Sequence, residues 1–224
     1  MLLTAHSGAD GTMDNSLAFV RYALSTGADA FEVDIRRDGD TLVLGHDETS
    51  ASAPRLSEVL AMAASHPSMK INCDLKQPGL EIEVMRLAAA TGMSGRVIFS
   101  GTVDADLFAR DPALSRCAEV YLNIEEYVPG LYWGWRDDPD FELRAAEEIA
   151  AVSTRSGIRT VNIYQGLVTR RFLDRLRREG LGVSAWTVDD PNTQEWFFRQ
   201  DIHNMTTRRI AFAVARRKKR ISYV

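Results

Sequence analysis

Two rhythms of hydrophobic and polar positions alternate along this chain from end to end. Short apolar runs, rich in Val, Ile and Leu, read as strands; stretches with apolar residues every third or fourth position read as helices. The strand-like runs fall at residues 2–6, 30–35, 41–46, 70–75, 97–100, 120–124, 160–164, 183–188 and 202–206. The helical patterns fall at 16–25, 56–64, 80–91, 103–109, 141–156, 169–179, 191–198 and 208–220. Asn15 or Asp14 is placed to cap the first helix and Gly27 to close it, while Gly92, Gly157 and Gly180 stop later ones. Asp38-Gly39 reads as the turn of a hairpin joining 30–35 to 41–46.

Strict alternation of strand and helix means parallel strands with crossover helices. About eight such units favour a closed (β/α)₈ TIM barrel over an open doubly wound sheet. No Gly-rich phosphate loop follows the first strand, which argues against a dinucleotide-binding fold. No low-complexity linker interrupts the pattern, so residues 1–224 read as a single domain.

One strand breaks the apolar rule. In Phe31-Glu32-Val33-Asp34-Ile35, period-two geometry puts Glu32 and Asp34 on one face and Val33 and Ile35 on the other. Two carboxylates side by side among apolar strands repel and desolvate each other, and a hard cation is the simplest compensation. In a (β/α)₈ barrel the chemistry sits at the C-terminal strand ends. His6, His46, Asp74, Lys76 and Trp186 all fall at or near such ends. Each has a bland alternative: a structural histidine, an aspartate capping the next helix, a tryptophan packing the rim. Their convergence on one barrel mouth favours metal-assisted acid–base chemistry.

Composition narrows the setting. No segment approaches the roughly 18 apolar residues of a membrane span, and residues 1–5 lack a basic secretory n-region. Cys73 and Cys117 sit in apolar, strand-like runs without disulfide or zinc spacing, so reduced thiols and a cytoplasmic location are expected. The net charge of −4 is unevenly spread, with five basic residues at 216–220 (Arg216, Arg217, Lys218, Lys219, Arg220). That run reads as the solvated end of the final helix, where cations also suit the helix dipole. Peripheral contact with an anionic membrane is the alternative, and no nucleic-acid partner is expected.

The motifs then carry a resemblance. His6-Ser7-Gly8, Asn15-Ser16 with Ala18-Phe19, Gly27-Ala28-Asp29, Glu32-Val33-Asp34, Asp38-Gly39, His46-Asp47 and Asp74-Leu75-Lys76 occur in an order that resembles the glycerophosphodiester phosphodiesterase family. The close part spans about the first 76 residues; Trp186-Thr187-Val188 is similar to an aromatic position near the seventh strand. The resemblance implies a TIM barrel of the phospholipase-C-like phosphodiesterase type. It implies one divalent cation, Mg²⁺ or Ca²⁺, on Glu32, Asp34 and Asp74, with His6 and His46 as the acid–base pair and Lys76 and Trp186 on the substrate. The implied reaction is hydrolysis of a glycerophosphodiester to an alcohol and glycerol phosphate.

Three departures qualify it. Ser7 stands where the family carries an arginine able to clasp phosphate. Asp74 stands where glutamate is commoner, and the usual insert after His-Asp is missing between Asp47 and Pro54. The missing insert points to an open mouth, as in lysophospholipid-cleaving phospholipase D relatives that release a cyclic phosphate. An aromatic, Gly-rich segment instead follows the fifth barrel strand, from Tyr127 to Trp135, and either walls a head-group site or packs the loop. Two further readings stay open: a metal-dependent lyase or aldolase using the same carboxylates, and a catalytically weakened phosphodiester-binding protein.

Overall fold

The computed structural model describes residues 1–138 and 140–221, with backbone alone for residues 135–137 and 221. The first half runs β1 (Leu2–Ala5), α1 (Leu17–Thr26), β2 (Ala30–Asp38), β3 (Thr41–Leu44), α2 (Leu56–Ala64), β4 (Lys70–Leu75), α3 (Glu81–Ala90) and β5 (Val97–Gly101). There follow α4 (Ala105–Arg110), α5 (Pro112–Cys117), β6 (Ala118–Asn123), α6 (Leu131–Asp137), α7 (Phe141–Ser156), β7 (Thr160–Tyr164), α8 (Arg170–Arg178), β8 (Gly182–Trp186), α9 (Pro191–Gln200), β9 (Asn204–Thr207) and α10 (Ile210–Ile221).

Strands β1, β2, β4, β5, β6, β7, β8 and β9 pair in parallel in that order, and β9 returns to β1, closing the barrel. β3 pairs antiparallel with β2 as a hairpin outside the closure. This is the expected (β/α)₈ architecture. Its two faces follow the pleat of β2: Phe31, Val33 and Ile35 are wholly buried in the layer beneath the helices. Glu32 and Asp34 take the opposite face. Each outward apolar side chain of this size contributes about 1.5–3 kcal/mol on burial, so a one-residue slip would exchange a stabilising row for two stranded carboxylates.

The base of the barrel is closed by a small apolar cluster, Ala30, Ile98 and Tyr121, and by an ionic plug. Glu119 accepts from Lys70 Nζ at 3.0 Å and lies 2.5 Å from His203 Nε2. Burial opposes the Glu119 charge, but His203 and Lys70 hold its carboxyl below the ordinary glutamate range. The plug therefore stabilises the fold fully above the ordinary glutamate pKa of about 4.3 and loses that contribution as pH falls through the lower folded value. The stability gap between wild type and Glu119→Gln is expected to narrow from pH 7 to pH 3 in urea titrations; a constant gap would show that the plug is idle.

Three local features depart from the sequence reading. Ser16, not Asn15 or Asp14, caps α1 by accepting from Phe19 N, because Asn15 is committed elsewhere. The hairpin strand stops at Leu44, leaving His46 on the loop beyond it. The region 103–109 gives way to two short helices; Asp111 caps the second by accepting from Ala113 and Leu114, so Cys117 ends a helix and is exposed rather than lying in a strand. The basic run at 216–220 is, as expected, the solvent-facing end of the final helix, with Arg216, Lys218, Lys219 and Arg220 exposed. Arg216 and Arg220 both pair with Glu195, and Arg217 pairs with Asp29 and donates to Gly27 O at 3.1 Å. No described helix is long and apolar enough to cross a membrane.

Candidate active site

Strand register assembles the polar residues at the C-terminal mouth. Asp34 on β2 lies opposite Asp74 on β4, which lies opposite Ser100 on β5. One carboxylate oxygen each from Glu32, Asp34 and Asp74 lies within 4.8 Å of the others. That span fits inside an oxygen shell around a hard divalent cation, whose diameter is roughly 4.0–5.2 Å for metal–oxygen distances of about 2.0–2.6 Å.

Each carboxylate is held by neighbours. Ser7 N donates to Glu32 Oε2 at 3.0 Å. Asn15 Nδ2 donates to Asp34 Oδ2 at 2.7 Å while its Oδ1 accepts from Asp34 N at 3.0 Å. Ser100 Oγ donates to Asp74 Oδ1 at 2.7 Å. Gly101 lets this packing form: a Cβ there would sit 2.4 Å from Leu75 O and 2.7 Å from Asp74 Oδ1, and its φ of +78° is a glycine conformation.

Charge is not balanced within the trio. Lys76 Nζ reaches Asp34 Oδ1 at 2.9 Å and Asp74 Oδ2 at 2.5 Å. Burial raises the Asp34 carboxyl, but Lys76 and the Asn15 amide bring it below its ordinary value. Burial would lower the Lys76 ammonium, yet Asp74 and Asp34 hold it above the ordinary lysine range. Glu32 is left over. Burial pushes it up to about 7, Asp34 and Asp74 add repulsion, and His6 with the Ser7 N–H offsets only part. A cluster of this kind could hold a cation, and its all-oxygen donor set suits Mg²⁺ or Ca²⁺ rather than zinc.

Both histidines face the same cavity of about 400 Å³, which Asp14, Lys76, Trp186 and Arg208 also line. His6 Nδ1 lies 3.9 Å from Glu32 Oε2, and His46 Nδ1 lies 2.8 Å from Asp47 Oδ1. Every sequence-predicted site residue therefore meets here. A larger cavity, about 570 Å³, opens at the barrel base beside Glu119 and His203. It has no converging carboxylates, and barrel chemistry belongs to the opposite end.

The sequence reading missed several cavity residues. Arg208, just past β9, donates Nε to His6 Nδ1 at 3.1 Å and Nη2 to Asp14 at 3.1 Å. His6 Nδ1 also sits 3.0 Å from Ser7 O. Ser7 O only accepts and Arg208 Nε only donates, so one imidazole tautomer serves one partner at a time. Ser100, Asn123, Glu125 and Asn162 were also missed; Arg208 had a usable signal, its place at a barrel strand end. The Tyr127–Trp135 stretch is partly helical, with Val128 and Leu131 buried and Tyr132 and Trp133 40% and 75% exposed. The Trp135 side chain lies outside the described residues.

Among solved structures, a glycerophosphodiester phosphodiesterase from Parabacteroides distasonis superposes over 99% of this chain and 97% of its own, with TM-score 0.73 and 16% identity. One from Agrobacterium tumefaciens matches over 96% and 99%, with TM-score 0.71 and 17% identity. The chain has the glycerophosphodiester phosphodiesterase fold. An Oleispira antarctica phosphodiesterase of that fold, solved with its product sn-glycerol-3-phosphate, covers 96% of each chain with TM-score 0.70 and 16% identity. No family model matches the sequence, and no curated protein matches it either. The glycerophosphodiester phosphodiesterase fold thus persists here across nearly full length at identities where shared fold is all that the likeness carries.

Proposed function

We propose that this protein is a member of the glycerophosphodiester phosphodiesterase family and a cation-dependent phosphoric diester hydrolase acting on glycerophosphodiesters. The observation that carries the reading is the carboxylate trio set in one cavity with two histidines. A lyase or aldolase would use the same carboxylates but does not require histidines on both sides of them.

Glu32, Asp34 and Asp74 would hold one Mg²⁺ or Ca²⁺, which when bound neutralises phosphoryl charge and polarises the phosphorus. The remaining work falls to the protein. Lys76 balances the trio and reaches a phosphate oxygen. Arg208 offers a guanidinium at the His6 side of the cavity, where it would take up phosphate charge that Ser7 cannot. His6 and His46, each anchored through Nδ1, present Nε2 to substrate. One takes the proton of the attacking hydroxyl; the other gives a proton to the departing alkoxide. Trp186 walls the head-group side. With both cysteines free, we place the enzyme in the cytoplasm.

³¹P NMR of a glycerophosphodiester digest tests the reading. A glycerol phosphate monoester is the expected product; a five-membered cyclic phosphate as the stable product would favour the lysophospholipase D-like route, and an unchanged diester would remove the enzymatic reading.

A further inference from the structure

We propose that Ser7 is a positioning residue for the cation, its N–H holding Glu32 and its hydroxyl holding the loop whose Asn15 clasps Asp34. This rests on the cation-dependent reading of the same site and deepens it. Ser7 stands where the resemblance places an arginine, but its side chain does not face the substrate. It is only 1% exposed and does not line the cavity. It turns instead into the β1–α1 loop, where Oγ accepts from Asn15 N at 2.7 Å.

That contact joins two others into one chain of hydrogen bonds. At one end Ser7 N donates to Glu32 Oε2 at 3.0 Å. At the other, Asn15 Nδ2 donates to Asp34 Oδ2 at 2.7 Å, and Asn15 Oδ1 accepts from Asp34 N at 3.0 Å. Two of the three carboxylates are thus oriented by a single loop. Both are buried, so these donors set the angles at which their oxygens meet a cation. Groups that orient metal ligands in this way typically govern affinity about as strongly as the ligands' own placement.

The Oγ contact is the link that needs a serine. The N–H to Glu32 survives any replacement except proline, whereas only the side chain accepts from Asn15 N. Asn15 sits at φ +50°, in the left-handed region that asparagine tolerates better than most residues. The loop closes tightly around the pair. A Cβ on Gly8 would lie 1.7 Å from Asp14 Oδ1, and Asp14 is held by Arg208 Nη2 at 3.1 Å. To reach the cavity, a longer side chain at position 7 would have to give up the Asn15 contact. The position serves either the cation ligands or the phosphate. A guanidinium already stands beside His6 on Arg208, which leaves position 7 to the ligands.

Calorimetry and thermal melting of the full-length protein with Ca²⁺ test this without any diester. Ser7→Ala keeps the N–H to Glu32 and removes the acceptor for Asn15 N. It is expected to weaken Ca²⁺ binding about tenfold or more and to shrink the rise in Tm that Ca²⁺ produces. Ser7→Thr retains the hydroxyl and is expected to stay within about threefold of wild type. Ser7→Arg is expected to lose Ca²⁺ affinity as Ser7→Ala does. A merely structural role would lower the metal-free Tm of Ser7→Ala and leave its Ca²⁺ affinity unchanged, which would overturn the proposal. So would a Ser7→Thr loss as large as that of Ser7→Ala. A Ser7→Arg variant with lower KM for a glycerophosphodiester and undiminished Ca²⁺ affinity would make position 7 a substrate position and also overturn it. Wild-type protein that binds Ca²⁺ but cleaves no diester would instead sink the phosphodiesterase reading alone.

Discussion

His6→Ala is expected to lower kcat on a glycerophosphodiester at least about 10²-fold, and His46→Ala to do the same. Neither imidazole is needed to build the barrel. His46 is on an exposed loop, and His6 contributes a single side chain at the cavity edge. The fold should therefore survive both changes, and circular dichroism would check it. The two variants should separate when the leaving group changes. A p-nitrophenolate departs without a proton, whereas a glycerol or amino-alcohol alkoxide needs one. Bis-p-nitrophenyl phosphate should thus rescue the variant that lost the general acid and leave the other impaired. Full activity in both variants on an alkyl diester would end the two-histidine mechanism.

Glu32→Gln should have two opposite effects. In wild type without a cation, a buried carboxylate is repelled by Asp34 and Asp74 and pushed up to about 7 chiefly by burial. An amide of the same shape removes that repulsion, and its oxygen can still accept from Ser7 N. The metal-free variant is therefore expected to melt above metal-free wild type in differential scanning fluorimetry. Added Ca²⁺ or Mg²⁺ should raise the wild-type Tm and leave the variant unmoved, since ligand binding to the native state stabilises it only if the site exists. Activity should fall at least about 10²-fold, in line with loss of a metal ligand. A variant that melts lower than wild type and still gains from the cation would place the metal elsewhere.

How much of this was legible in the chain depended on the range of the signal. The barrel and the β2 carboxylates were readable because period-two patterning and strand–helix alternation are local, and Val33 and Ile35 mark the opposite face without ambiguity. Asp74 was readable for the same reason, at the end of its own strand. Asn15 was misread because an Asn before a helix looks like a cap. Its amide goes instead to Asp34, a contact set by how the β1–α1 loop folds over β2. Cys117 was misplaced because the Asp111-Pro112 start of a one-and-a-half-turn helix was weaker than the apolar run after it.

Arg208 and Glu125 were missed for another reason. Each looks ordinary in its own segment, one at the start of a basic helix and the other in an acidic pair. Apart from their place just past a strand end, nothing marks them as cavity residues until closure of the barrel brings the ends of β9 and β6 to one mouth. The same closure sets the Arg208 guanidinium, from the far end of the chain, beside His6.

Three carboxylates and two histidines are proposed to form one cation-dependent centre for phosphodiester cleavage. Its most direct test is to strip the wild-type protein with EDTA, then titrate Mg²⁺ or Ca²⁺ back while following cleavage of a glycerophosphodiester. Stripping is expected to abolish turnover, and a single equivalent of bound cation to restore it. Undiminished turnover in the stripped protein would contradict it.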